Sequence, residues 1–192
     1  MPDLADLLRD LKGGDDALAE QAALSLPAHG QAALDALLTL SQSPQPNQRW
    51  WALRALAGFA QPPAGQALVA ALADAEPDVR SCAALALTQR PEPAAIPALI
   101  SMLHREDSLL SRLAGDALAA GGAPAVAALT QFLQQPEVAA GQAEAARALA
   151  LAGDKNSIPT LMNLLESEST LVQYWAGEGL TKLGVGMTFF KP

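Results

Sequence analysis

A leucine recurs along this chain at an almost constant interval. It occupies Leu24, Leu56, Leu87, Leu118, Leu149 and Leu180, at separations of 32, 31, 31, 31 and 31 residues. The preceding residue is small in every case: Ala23, Ala55, Ala86, Ala117, Ala148 and Gly179. A period of this length is the signature of stacked copies of one structural unit, in which each copy buries its apolar surface against its neighbours. We call these six leucines the first ladder.

One complete unit runs from Glu76 to Glu106. Its first half has apolar residues at helical spacing: Val79, Cys82, Ala83, Ala86 and Leu87. The prolines of the segment 90–93 then end this first helix. A second helix follows, with Ile96, Leu99, Ile100 and Leu103 on one face. Since a single helix pair cannot cover both of its apolar faces, the unit needs neighbours on either side.

The second helices carry a ladder of their own. It consists of Leu34, Leu68, Leu99, Leu129 and Leu161, and we call it the second ladder. Four residues after each lie Leu38, Leu72, Leu103, Leu133 and Leu165. Both ladders indicate the same helix–turn–helix repeat, so the sequence predicts an all-α chain.

At these residues the chain resembles the HEAT-repeat solenoids, and most closely their short, alanine-rich phycobilisome-lyase HEAT-like subclass. The resemblance rests on Asp78-Val79-Arg80, Ala83 and Ala86-Leu87, and on Ile96-Pro97-Ala98-Leu99 with Leu103. Ile158-Pro159-Thr160-Leu161 fills the same proline position again. It implies an α-α superhelix, a HEAT-like solenoid of about five full helix pairs with a half unit at each end. The arginine position of the motif holds Arg49 and Arg80 but Ala17, Ser111, Gln142 and Gln173 elsewhere, so no function is expected from an unbroken arginine row.

The predicted organisation is a single domain over residues 1–192. Residues 1–12 form an N-terminal capping helix, 13–183 the repeats and 184–192 an apolar tail; the first repeat has helices at about 15–26 and 31–42. The tail contains Val185, Met187, Phe189 and Phe190. We expect it to fold back over Leu180 and Leu183 as a cap. The alternative is a docking peptide for another protein or for a second copy of the chain.

Composition excludes several classes of protein. The formal charge is -8, with 12 basic against 20 acidic residues, whereas nucleic-acid binding needs a basic surface. The sequence has no apolar run of membrane-spanning length and no secretory signal at its start, which predicts a cytoplasmic protein without membrane contact. The single cysteine, Cys82, lies on the buried stripe of its helix and is expected to be an inert core thiol.

Two aromatic pairs occupy identical positions four periods apart, Trp50-Trp51 and Tyr174-Trp175. The second member of each pair aligns with apolar positions, which predicts partial burial. The first member aligns with Ser81, Arg112 and Ala143, an outward position. Trp50 and Tyr174 are therefore candidate interface residues.

In HEAT solenoids the second helices usually line the binding face. The position two residues after each second-ladder leucine holds Ala36, Ala70, Ser101, Gln131 and Asn163. This row has no acid, base or metal ligand, and the two histidines, His29 and His104, do not form a metal motif, so we expect neither catalysis nor a cofactor. Ser101, Gln131 and Asn163 are the remaining candidate partner-binding residues.

The sequence therefore predicts a non-enzymatic scaffold that binds a protein or peptide and no nucleic acid. Self-association through the tail is an open alternative. A second class of function follows from the resemblance alone: an accessory protein of the bilin-lyase type, acting in chromophore attachment or removal.

Overall fold

The computed structural model of the protein describes residues 2–104, 107–135 and 141–185. Every regular element in these ranges is helical, which confirms the predicted all-α solenoid fold. The chain divides into two compact units, residues 1–90 and 91–192. Among the described residues, no helix has the length and apolar character needed to cross a membrane.

Unit 1 alternates second and first helices in chain order. They are α1 (Leu4–Asp10), α2 (Asp16–Ser25), α3 (Gly30–Leu40), α4 (Pro46–Leu56), α5 (Pro62–Ala71) and α6 (Pro77–Gln89). The first helices α2, α4 and α6 pack on one another in sequence, while α3 packs on α4 and α5 packs on α6. The predicted N-terminal helix is α1, which packs on α2.

Unit 2 continues the alternation. Its helices are α7 (Ile96–Met102), α8 (Ser108–Ala120), α9 (Gly122–Leu133), α10 (Gln142–Ala152), α11 (Ile158–Leu164) and α12 (Thr170–Lys182). The first helices α8, α10 and α12 form the core of the unit because each packs on the next. The second helices α7, α9 and α11 lie beside them.

Proline and side-chain caps define the helix starts. Pro46, Pro62 and Pro77 each occupy the first position of a helix, where a missing backbone N–H costs nothing. At the start of α2, the Asp15 carboxylate accepts hydrogen bonds from two backbone N–H groups, at 3.0 and 3.1 Å. Asp107 caps α8 in the same way.

Five of the six first-ladder leucines are buried as predicted, namely Leu56, Leu87, Leu118, Leu149 and Leu180. The prediction is wrong for Leu24, which is 63% exposed, whereas Leu26 is 0% exposed. The N-cap residues of α2 and α4, Asp15 and Gln45, are 30 residues apart rather than 32. The first repeat is therefore shorter, and its ladder position is Leu26.

All five second-ladder leucines are buried: Leu34, Leu68, Leu99, Leu129 and Leu161. Four residues further on, Leu72 and Leu103 are buried and Leu38 and Leu133 are half-buried. Leu165 is exposed, so the burial predicted for the leucine four residues after the second ladder is wrong at this position. α11 is the last second helix among the described residues, and no later one covers this position.

The small residues of the first helices permit close packing, as predicted. The alanines Ala52, Ala83, Ala114, Ala145 and Ala176 are all buried. At Gly179 an added Cβ would lie 2.9 Å from Leu161 Cδ1 and 3.0 Å from Ala150 Cα. α12 thus approaches α10 and α11 more closely than any side chain at this position would allow.

The side chain at the arginine position of the motif stabilises the turn between repeats. In four repeats its side chain donates to a backbone carbonyl of that turn: Arg49 to Ser43 at 3.0 Å, Arg80 to Asp74 at 2.8 Å, Ser111 to Leu103 at 3.1 Å and Gln173 to Ser167 at 2.7 Å. Because the acceptor is backbone, serine and glutamine replace arginine without loss of the contact. Ser111 and Gln173 are therefore structurally equivalent to the arginines, whereas Ala17 has no side-chain donor.

Arg49 also forms a two-pronged ion pair with Asp74. Its Nε and Nη2 atoms donate to Oδ2 and Oδ1, both at 2.7 Å. These hydrogen bonds lower the pKa of the Asp74 carboxyl below its usual value and raise that of the Arg49 guanidinium. The pair ties α4 to the turn that precedes α6.

A buried arginine, Arg147, joins α10 to α8. It donates to Asp116 Oδ1 at 2.7 Å, to Glu144 Oε2 at 2.6 Å and to the carbonyl of Arg112 at 2.9 Å. Gly115 leaves room for the guanidinium, since a Cβ there would lie 3.0 Å from Nη2. The repeat pattern of the sequence does not predict this network.

The predicted C-terminal tail is described only up to Val185. Gly184 has a positive φ of 75°, and the Val185 N–H donates to the carbonyl of Leu180 at 2.8 Å, which ends α12 in a glycine cap. Leu180 is already buried and Leu183 is half-buried. Residues 186–192 lie outside the described residues, and the capping role of the tail stays a prediction.

Candidate partner-binding surface

The row two residues after the second ladder is largely accessible. Ala70, Ser101, Gln131 and Asn163 are exposed and Ala36 is half-buried. The Ser101 hydroxyl donates to the carbonyl of Ala98 at 2.7 Å, so its proton is used within its own helix. Gln131 and Asn163, on α9 and α11, retain side-chain amides that no hydrogen bond in the described ranges engages.

Two adjacent depressions bring Gln131 and Asn163 into one surface of unit 2. The first, of about 380 Å³, is lined by Ala123, Val126, Ala127, Thr130, Gln131, Gln134 and Asn156. The second, of about 310 Å³, is lined by Leu133, Gln134, Gln142, Thr160, Asn163, Leu164, Glu166 and Ser167. Gln134 belongs to both. We call the combined surface the amide groove.

The groove offers neutral polar groups above an apolar floor. Five of its lining residues carry amides that can donate and accept at once: Gln131, Gln134, Gln142, Asn156 and Asn163. Across the floor, Thr160 Oγ1 donates to Thr130 Oγ1 at 3.4 Å, which links α11 to α9. Glu166 is the one charged residue in the two linings. The surface can therefore match peptide groups, and it favours positive over negative charge.

Unit 1 has a different depression of about 560 Å³. It lies between α1 and α3 and the turn after α3, and includes Leu8, Lys12, Ala36, Leu40 and Gln48. Its polar side chains are partly engaged already, since Gln48 bonds to Ser43 Oγ at 2.7 Å. It offers fewer open amides than the groove of unit 2.

Reactive groups lie away from the groove. Cys82 is buried, as predicted, and burial raises the pKa of its thiol to about 12. Its Sγ donates to the carbonyl of Trp50 at 3.5 Å. The His104 ring packs against Phe132, with centroids 4.7 Å apart. Within the ranges that the structure describes, no three His, Cys, Asp or Glu residues cluster as metal ligands.

The family model for HEAT repeats matches this chain over residues 1–81, 65–140 and 126–186. These matches overlap and leave only the last residues uncovered. The chain belongs to the HEAT-repeat family. The predicted resemblance is thereby confirmed, and the paired helices described above are its HEAT repeats.

Solved structures share this HEAT-repeat fold. An engineered protein is 26% identical with a TM-score of 0.52, over 96% of this chain and 97% of its own. In the complex of CpcE and CpcF of phycocyanin lyase from Nostoc sp. PCC7120, the matching chain is 23% identical with a TM-score of 0.58, over 96% of this chain and 78% of that one. A designed armadillo repeat protein in complex with the peptide (KR)4 is 18% identical with a TM-score of 0.56, over 95% and 100%. A search of curated proteins found no match.

The two aromatic candidates differ in exposure between their HEAT repeats. Tyr174 is 55% exposed, and its ring lies edge-on to Trp175 with centroids 5.1 Å apart. Trp50 is half-buried and packs edge-on against the buried Trp51 at 4.6 Å. The outward orientation predicted for Trp50 is therefore only partial, since its ring packs against Trp51 and is half-buried.

Of the five predicted site residues, the structure brings Gln131 and Asn163 into one groove. Ser101 lies outside its lining, and Trp50 belongs to the other unit. Gln134, which joins the two depressions, was not predicted. Gln134 is the residue directly after α9. A polar residue at a helix end is typical of a turn, so no separate sequence pattern indicated that it lines the groove.

Proposed function

We propose that this HEAT-repeat protein is a non-enzymatic interaction scaffold that holds an extended segment of a partner protein in the amide groove. The observation that carries the proposal is the convergence of Gln131, Gln134 and Asn163 on one surface with unengaged amides. An extended peptide presents N–H and C=O groups along its length. Side-chain amides satisfy both kinds of group without selecting a charge.

The floor of the groove suits the side chains of such a segment. Val126, Ala127 and Leu164 provide shallow apolar contacts between the amides. Depressions of about 380 and 310 Å³ accommodate small or medium side chains at two neighbouring positions. Recognition through main chain and two side-chain positions is typical of peptide-binding modules.

Charge favours a basic or neutral segment over an acidic one. The chain carries a formal charge of -8, and Glu166 is at the edge of the groove. The designed armadillo protein of similar fold is in complex with the basic peptide (KR)4. This likeness supports peptide binding by a protein of this fold. The negative formal charge of the present chain supports a positively charged partner segment.

A peptide-display selection tests the proposal. Random extended peptides are selected on the wild-type protein and, in parallel, on the double variant Gln131→Ala, Asn163→Ala. We expect the enriched peptides to be basic or neutral, and to bind the variant at least about tenfold more weakly, a difference of roughly 1.4 kcal/mol. Fluorescence polarisation of the labelled peptides measures the affinities.

The matched control replaces two exposed glutamines outside the groove, Gln21 and Gln66, by alanine. This control is expected to bind the selected peptides as the wild type does. Equal binding by the groove variant and the control would disprove the groove. A shifted visible absorption band on mixing with a bilin would instead favour the chromophore-related function.

A further inference from the structure

Three exposed apolar residues, on α11, at its C-cap and on α12, occupy positions whose repeat equivalents contact the following repeat. They are Met162, Leu165 and Tyr174, at 52%, 43% and 55% exposure. We call these three residues the end face. None of the three lines the amide groove, although Glu166 lies at the edge of both surfaces, and a role for the end face goes beyond the proposed function without depending on it.

The repeat equivalents of Tyr174 face the following first helix. Trp50 occupies the same position on α4, and its carbonyl accepts from Cys82 of α6. Arg112 occupies it on α8, and its carbonyl accepts from Arg147 of α10 at 2.9 Å. In both repeats the next first helix contacts the backbone at this position, while the side chain of Trp50 is half-buried and that of Arg112 is exposed.

The equivalents of Met162 and Leu165 face the following repeat as well. Thr130 precedes Met162 by one repeat, and it accepts a hydrogen bond from Thr160 of the next second helix. Leu103 precedes Leu165 by two repeats; it is 2% exposed, and its carbonyl accepts from Ser111 of the next first helix. The end face is thus a repeat-stacking surface with no helix against it among the described residues.

Charge selects the occupant of this surface. Exposed carboxylates border it at Glu166, Glu168 and Glu178. The nearby cation, Lys182, points the other way and donates to the carbonyl of Leu151 on α10 at 2.7 Å. An apolar surface within an acidic border is complementary to an apolar stripe flanked by Lys or Arg.

The N-terminal end of a second copy does not meet this requirement. The segment 3–16 has five aspartates, Asp3, Asp6, Asp10, Asp15 and Asp16, against Arg9 and Lys12. Arg9 already pairs with Asp6 at 2.6 Å. Stacking two copies end to end would bring like charges together.

We infer that the end face binds a basic amphipathic helix of another protein, which stacks on α11 and α12 in the place of a further repeat. Helix packing of this kind uses apolar residues at i, i+3, i+4 and i+7, and basic residues on either side of the stripe would contact the bordering glutamates.

Two synthetic helical peptides of about 20 residues test this inference, a length at which isolated helices become stable. Both carry the same leucine stripe; one has lysines at its borders and the other glutamates. Fluorescence polarisation with the full chain should show binding of the lysine peptide at least about tenfold tighter than that of the glutamate peptide. Raising salt from about 0.1 M to 1 M should reduce this preference.

Variants then locate the site. The double variant Met162→Glu, Tyr174→Glu should bind the lysine peptide at least about tenfold more weakly than the wild type does. Leu109→Glu, an equally exposed apolar position on α8, is the matched control and should have no effect. Glu168→Lys with Glu178→Lys should reverse the preference towards the glutamate peptide and leave the amide groove intact. Thermal melting shows whether each variant is folded, and all the substituted side chains are exposed.

Several results would overturn the inference. One is equal binding of the two peptides; another is no binding, or end-face variants that behave like Leu109→Glu. Concentration-dependent dimerisation that Met162→Glu abolishes would assign the face to a second copy. Binding that appears only in a chain ending at Val185 would assign it to residues 186–192 of the same chain.

Discussion

Asp74 shows how a single side chain can organise the turn between two repeats. Its carboxylate accepts both prongs of Arg49 and also the backbone N–H of Glu76 at 2.9 Å, while its own carbonyl accepts from Arg80. We predict that Asp74→Asn lowers the free energy of unfolding by about 1–2 kcal/mol at neutral pH, since hydrogen bonds to charged groups contribute on the order of 1.5–3 kcal/mol. Urea denaturation measures the loss.

The pH dependence of this effect follows from the lowered pKa of Asp74. A carboxyl whose pKa is lower in the folded state stabilises that state fully above its usual value of 3.8, and the stabilisation is lost as the pH falls through the lower value. The difference between wild type and Asp74→Asn should therefore shrink below pH 3.8. Asp6→Asn breaks an exposed pair and should change stability little at any pH. An equal effect of the two substitutions would show that the turn does not depend on this pair.

Ala86 represents the small residues on which close helix packing depends. It is buried on α6, and a phenylalanine there must displace neighbouring helices. We predict that Ala86→Phe destabilises the protein by roughly 1–3 kcal/mol. Ala70→Phe, at an exposed position of α5, should have a much smaller effect. Matching denaturation midpoints for the two variants would contradict the burial of this row.

At the scale of the helix, α2 shows where a sequence period is reliable and where it is not. The leucine period of the other five repeats predicts Leu24 as the ladder residue of the first repeat. The helix start at Asp15 sets the true register, and Leu26 is the residue that reaches the core. Further support comes from Leu7 of α1, which precedes Leu26 by 19 residues, as Leu68 precedes Leu87.

The register of α2 can be measured with a matched pair of substitutions. Leu26→Ala should lower the free energy of unfolding by about 2–5 kcal/mol, since it removes a fully buried leucine. Leu24→Ala, two residues away and exposed, should change it by less than about 0.5 kcal/mol. The reverse ranking in urea denaturation would restore the 32-residue interval that the sequence suggested.

Contacts between helices limit what could be predicted from the sequence. The ladders were predictable because the buried positions of each helix recur at helical spacing and must hold apolar or small residues. The amide groove was only half predictable, since Gln131 and Asn163 share a repeat position, whereas Gln134 and the Thr130–Thr160 contact depend on how α9 and α11 are placed. The arginine position was misleading because its partners are backbone carbonyls, which the side-chain sequence does not reveal.

At the scale of the whole molecule, a stack of repeats must cover the apolar surface of its last helices. The structure shows two parts of this surface separately. Leu183 and Val185, at the C-terminal turn of α12, are half-buried, while Met162, Leu165 and Tyr174 are exposed. The predicted tail cap concerns the first part, and the helix-binding inference concerns the second.

Truncation after Val185 tests the cap and keeps the glycine turn that ends α12. If Phe189 and Phe190 pack on the C-terminal turn, their burial contributes about 1.5–3 kcal/mol each, and removing them should lower the melting temperature by several degrees and promote aggregation. A full-length variant with both phenylalanines replaced by serine should reproduce the loss, whereas Lys191→Ser should not. A truncated chain that melts as the wild type does and remains monomeric would disprove the cap, and loss of a partner by that chain would identify the tail as a docking peptide.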